Sequence, residues 1–192
     1  MERAYIDEEV FENMDFSTQP LEKGDYEYCT FINCNFEGSK VEDFHFIETE
    51  FIDCNLSNVS LTETALQGVR FQQCKMLGVS FEHCNTLGLA ITFKNCNLNH
   101  TSFFKMMLKH VKFMDCQLDG ADFAAADLSE SSITNCNLNH AKFEGTQLQK
   151  TDLRRSYNYE IDPEKNALQG ALFSLEGISG LLSKHQIYID GA

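Results

Sequence analysis

An apolar residue recurs at every fifth position over most of this chain, and that rhythm limits the possible folds more than any other feature. The series runs Phe16, Leu21, Tyr26, Phe31, Phe36, Val41, Phe46, Phe51, Leu56, Leu61, Leu66, Phe71, Met76, Phe81. It breaks around Asn85 to Thr92, resumes two residues out of phase at Phe93 and holds to Leu153, giving 27 centres without a polar residue among them. A helix repeats near 3.6 residues and a strand at 2. Five fits neither. It fits a coil with a corner every five residues, where two side chains of each pentad point in and three point out.

The eight cysteines set the longer period. Each lies two residues before a position of the five-residue series. Six of them, Cys34, Cys54, Cys74, Cys96, Cys116 and Cys136, follow at spacings of 20, 20, 22, 20 and 20. Four pentads therefore make one turn of a solenoid, and the cysteines stack in one column. The single 22 is the same two-residue shift that breaks the rhythm, so the break at 85–92 is a bulge on one edge, not a domain boundary. Near-copies two turns apart agree: residues 95–103 read NCNLNHTSF and residues 135–143 read NCNLNHAKF.

Such a coil needs a small side chain at the second inward position, and cysteine there reads as a small buried hydrophobe. No CxxC-type pair is present, so no metal site is expected from the cysteines. His100, His110 and His140 occupy outward positions two residues after their centres. His100 and His140 share a face two turns apart with Gly120 between them, too far for one metal. No nucleophile–base arrangement and no glycine-rich phosphate loop emerges. The expectation is a protein that is not an enzyme and uses no cofactor.

The net charge is −14, unevenly placed. Residues 1–63 carry 16 acids against Arg3, Lys23 and Lys40, residues 64–114 carry Glu82 against six bases, and residues 115–192 carry 12 acids against six bases. Acidity of this kind repels nucleic acid and membranes and attracts basic partners; it also keeps an open-ended stack soluble. A rod with rows of outward carboxylates can imitate the regular phosphate column of duplex DNA. The candidates are Glu37, Glu42, Asp43, Glu48, Glu50, Asp53 and Glu63, with a second group of Asp115, Asp119, Asp122 and Asp127. The opening MERAYIDEEV lacks an apolar run and no transmembrane stretch occurs, so a cytoplasmic protein with reduced thiols is expected.

After Leu153 the rhythm lapses in a loop at 154–166. Two pentads centred on Leu168 and Phe173 follow. The solenoid is thus expected over 1–173 and a capping unit over 174–192. In that unit Ser174 is a candidate N-cap, and Leu175, Ile178, Leu181 and Leu182 share one helical face. Gly177 and Gly180 weaken this helix. QIYID at 186–190 alternates like a short strand.

The stretches ADFAAADLSES and CNLNHAKFEGTQLQKTDL resemble the A(D/N)LXX consensus of pentapeptide-repeat proteins, over about residues 11–153. That resemblance implies an all-β, right-handed quadrilateral β-helix. The order ALQGALF, GISGLLSKH, QIYID is similar to the tail of the Qnr/MfpA-type quinolone-resistance branch. The bulge at CNTLGLAITF looks like the irregular point of those proteins. This branch implies a homodimer through Leu175, Ile178, Leu181, Leu182, Ile187 and Ile189, and a DNA-mimicking partner of DNA gyrase that protects it from fluoroquinolones. The alternative reading is an interaction scaffold with another protein partner. The long projecting loops of many Qnr proteins are absent, and the densest acidity lies in the N-terminal third.

Overall fold

The structure, a computed structural model, describes residues 3–188. Its strands are short: β1 Ala4–Asp7, β2 Val10–Glu12, β3 Gly24–Glu27, β4 Thr30–Ile32, β5 His45–Ile47, β6 Glu50–Ile52, β7 Ala65–Gln67, β8 Val69–Gln72, β9 Ile91–Lys94, β10 Lys112–Met114 and β11 Ser132–Thr134. All pair in parallel with the strand one turn away, as in Phe31↔Phe51 and Phe51↔Phe71. β1, β3, β5 and β7 form one sheet, and β2, β4, β6, β8, β9, β10 and β11 form a second. Two further walls are held by single bridges such as Asn35↔Asn55 and Ser60↔Ser80. The chain is therefore a right-handed, four-walled β-solenoid. We number the walls by their centres: face I (Phe16, Phe36, Leu56), face II (Leu21, Val41, Leu61), face III (Ile6, Tyr26, Phe46) and face IV (Phe11, Phe31, Phe51).

The five-residue rule works through three positions. Each centre points into the coil and stacks on its successor. Along face IV, Phe11, Phe31, Phe51, Phe71, Phe93 and Phe113 lie stacked with centroids 4.7 to 5.2 Å apart, close to the strand spacing of a sheet. The residue two before each centre also points inward and does more than fill space. Thr49, Cys54, Thr151 and Ser156 each donate a side-chain hydrogen bond to the carbonyl 23 residues earlier, on the rung below. The cysteine column thus braces successive rungs. Across the bulge the equivalent bond, Cys96 to Phe71, spans 25 residues. All eight thiols are free and buried, and burial pushes those of Cys29 and Cys34 up and that of Cys84 up to about 12. These three stay protonated at neutral pH and do not act as thiolates.

The residue two after most centres turns the corner with a positive φ. Gly fills this place at Gly38, Gly78 and Gly120, but Asn33, Asp53, Asn95, His100, His110 and His140 also adopt it, with φ between 50 and 62°. Asn, Asp and His are the non-glycine residues that tolerate this region best. The three regularly placed histidines are corner residues.

The bulge is where it was expected. Ala65 pairs with Asn85 and Val69 with Ile91, so two extra residues fit between them. Leu87 projects 78 % exposed, and the Ala90 amide returns to the Leu66 carbonyl.

The coil starts before Phe16: β1 and β2 pair with β3 and β4, and Ile6 and Phe11 extend the five-residue series in phase. It also continues into the expected loop: Tyr157 bridges Asn137, and Ala167 bridges Gln147. Residues 158–166 replace one wall without disturbing the 20-residue register. Beyond Leu172 the chain forms not an α-helix but a 3-10 helix over Leu175–Leu181, followed by a 3-10 turn over Ser183–His185. Ser174 does not cap it. Its Oγ accepts the Arg155 amide instead. The glycines explain the helix: a Cβ on Gly177 would strike Tyr159 Oη, and one on Gly180 the Tyr159 carbonyl. Here glycine permits close packing on the last coil. Residues 186–188 carry no strand, and Gln186 is left-handed; the remainder of the expected strand, including Ile189, lies outside the described residues. No helix among the described residues is long and apolar enough to cross a membrane.

Candidate interaction surface

The eleven carboxylates singled out from the sequence do not form one stripe. Glu37 and Asp119 lie on face I, Glu42, Asp43, Glu63 and Asp122 on face II, Glu48 and Asp127 on face III, and Glu50, Asp53 and Asp115 on face IV. Asp43, Glu48, Asp53, Glu63 and Asp115 sit at left-handed corners, so their positions also serve the coil. Asp127 is a correction: it is not presented to solvent but only 5 % exposed. It bridges Met107 in the ladder and pairs with Lys109 at 3.4 Å. Burial raises its pKa, but hydrogen bonds from Ser129 and Lys109 outweigh this and hold it below the usual carboxylate range.

Bases neutralise much of the remainder along the ladder. Arg70 reaches Glu50 at 2.7 Å and Glu48 at 3.3 Å on neighbouring columns. Asp43 is held by Arg3 and by Lys23 at 2.7 Å, and these donors, Lys23 foremost, keep its carboxyl low. Asp122 meets Lys142 and Asp119 meets His140.

Carboxylates with no ion pair among the described residues cluster in two places. One is a column on face II: Glu22, Glu42 and Glu82 occupy equivalent positions, Glu22 and Glu42 on adjacent rungs and Glu82 one rung beyond Thr62, with Glu63 beside it. Hydroxyls orient it, since Ser60 Oγ donates to Glu42 at 2.7 Å and Ser102 Oγ to Glu82. The other is the N-terminal end, where Asp7, Glu8, Glu9, Glu12 and Asp15 are exposed. The sequence reading named Glu42 and Glu63 but passed over Glu22, Glu82 and the N-terminal group, because it counted outward carboxylates without counting the bases one rung away. The signal was available: acids and bases 20 residues apart are neighbours.

The C-terminal residues expected at a dimer interface are split. Leu175 and Ile187 are exposed, 82 and 56 %, while Ile178, Leu181 and Leu182 are half-buried. Leu181 packs on the core. The groove between this helix and the last coil has a volume of about 690 Å3 and is lined by Arg155, Tyr157, Glu160 and Glu176 among others, with no histidine or cysteine. No three His, Cys, Asp or Glu side chains converge as metal ligands among the described residues.

A profile of the pentapeptide repeat region matches residues 25–92 and 90–161, which together span well over half of the sequence. The chain belongs to the pentapeptide-repeat family. Among solved structures it is similar to QnrB1, a plasmid-mediated fluoroquinolone resistance protein. One trypsin-treated QnrB1 variant matches with a TM-score of 0.73 at 21 % identity, covering 100 % of this chain and 96 % of that one. Full-length QnrB1 matches with a TM-score of 0.64 at 17 % identity, covering 96 and 100 %. At these identities the likeness concerns the fold. No curated protein matches the sequence.

Proposed function

We propose that this protein is a non-enzymatic binding protein that presents carboxylates to the DNA-receiving, cationic surface of DNA gyrase and protects the enzyme from fluoroquinolones. The observation that carries this reading is the face II column, in which Glu22, Glu42 and Glu82 stand unpaired along a straight wall. Carboxylates repeating along a rigid rod offer a cationic groove what a phosphate backbone offers, and a net charge of −14 adds long-range attraction. The fold shared over the whole length with QnrB1, a fluoroquinolone resistance protein, supports the fluoroquinolone part of this reading. In this reading Leu175, Ile178, Leu181, Leu182 and Ile187 join two copies at the C-terminal end, which light scattering tests as a doubled mass.

The deciding experiment titrates the protein into gyrase supercoiling with a fluoroquinolone present. Supercoiling should be restored, and the triple change Glu22→Gln, Glu42→Gln, Glu82→Gln should remove the effect while the fold stays intact. A second reading, an interaction scaffold for a different protein, is favoured by one observation: the other carboxylates are scattered over four walls, and Arg70 and Lys142 neutralise several of them. Absence of both rescue and inhibition with gyrase from the same host selects it.

A further inference from the structure

The described residues leave one end of the coil unfinished. β1 and β2 are the outermost strands of their sheets, each with one neighbour. One rung further in, the amides of Thr30 and Asn35 donate to the carbonyls of Glu9 and Met14, both at 2.9 Å. Val10 and Asp15 occupy the same places on the first rung, with no rung beneath them among the described residues to accept. The core is open there as well. Phe11 stacks on Phe31 on one side, while its other face meets no ring. Ile6, Phe11 and Leu21 are half-buried, although their successors Tyr26, Phe31 and Val41 are at most 3 % exposed. At the opposite end the 3-10 helix covers the last rung, with Leu181 against the core.

An unpaired strand edge over an uncovered core is a template for another strand. Charge selects which strand. Asp7, Glu8, Glu9, Glu12 and Asp15 surround this end without an ion pair among the described residues. A second copy stacked end to end would set these carboxylates against their equals at roughly the 4.8 Å inter-strand spacing, which is repulsive. An acidic segment meets the same repulsion. A basic one finds opposite charges directly across.

We propose that the N-terminal end of the coil is a docking site for an extended, lysine- or arginine-bearing segment of a protein partner, which adds one further rung beneath β1 and β2. Its backbone takes up the free Val10 and Asp15 amides. Two apolar side chains five residues apart cover Ile6 and Phe11, and its basic side chains lie across from Asp7, Glu8, Glu9 and Glu12. This surface is distinct from the face II column, so a negative gyrase result leaves it standing.

The test uses the full chain and a labelled peptide of about ten residues, with valine or phenylalanine five positions apart and lysine at the outward positions. Fluorescence anisotropy should show saturable binding, and hydrogen exchange should show the Val10 and Asp15 amides becoming protected while those of β9 and β10 stay as they were. The same peptide with glutamate for lysine should bind at least about tenfold more weakly, as should the lysine peptide to a Glu9→Lys, Glu12→Lys variant. Val10→Pro, which removes an unused donor, should weaken binding similarly. If that variant fails to fold, the charge-reversed one still decides. No binding of the lysine peptide, equal binding of the glutamate peptide, protection elsewhere, or end-to-end assembly of the protein itself would each overturn the proposal.

Discussion

Each residue in this fold is chosen by its place in the pentad, and the corner place is the most demanding. Ala125 adopts φ 56° there, a conformation that costs a residue with a Cβ roughly 1–2 kcal/mol. Ala125→Gly should therefore raise stability in chemical denaturation, by about 0.5–1 kcal/mol after the added freedom of the unfolded chain is offset. Gly120→Ala should do the opposite. It imposes the same strain and also places a Cβ 2.5 Å from His100 Nδ1. The inward donor position gives a second check. Thr151 is fully buried and its Oγ1 donates to the Leu128 carbonyl at 2.7 Å. Thr151→Val should cost about 1 kcal/mol, whereas Thr151→Cys, which keeps a donor as the cysteine column does, should cost less.

At the scale of the element, the rung is the unit and its register the main constraint. The rhythm of five, the period of 20 and the two-residue bulge were all legible, because they follow from apolar side chains that must stack. The C-terminal helix was legible only as an element. Its 3-10 geometry and its glycines depend on Tyr159, a contact no local pattern contains. The first rung was legible too, inside the expected span of 1–173: Ile6 and Phe11 keep the five-residue phase of Phe16 although they are only half-buried at that end. If the bulge is a passive insertion, deleting Leu87 and Gly88 should return the 65–85 and 69–91 pairings to one common spacing. The loss should be small, about 1 kcal/mol or less, because only a short exposed loop changes. Few bonds hold its tip: Gln67 Nε2 donates to the Leu87 carbonyl and the Leu87 amide to Asn85 Oδ1, while the Ala90 amide anchors its end on the Leu66 carbonyl. A large loss of stability would instead mean that the bulge wedges the two halves into register.

Across the whole molecule, charge was legible as a total and as three blocks, but not as a surface. Counting along the chain places Asp43, Glu48 and Glu50 in the acidic third, whereas the ladder sets Arg3, Lys23 and Arg70 against them. The same pairing makes stability depend on acid in a definite direction. Asp43 is held below its ordinary range by hydrogen bonds from Lys23 and Arg3. Asp127 is also held low, by Ser129 and Lys109 acting against its burial, and Asp152 by Arg154. A carboxyl with a lowered folded pKa contributes stability that is complete above its unfolded value, near 4, and disappears as pH falls through the folded value. The denaturation midpoint should therefore be flat through the neutral range and drop below about pH 4. Asp127→Asn isolates the buried member of this set. It should lower the neutral plateau, since Lys109 and the Ser129 amide lose a charged acceptor, and it should make the acid limb shallower. A variant with the lower plateau and an unchanged acid slope would show that Asp127 contributes packing alone and that the acid response arises elsewhere on the ladder.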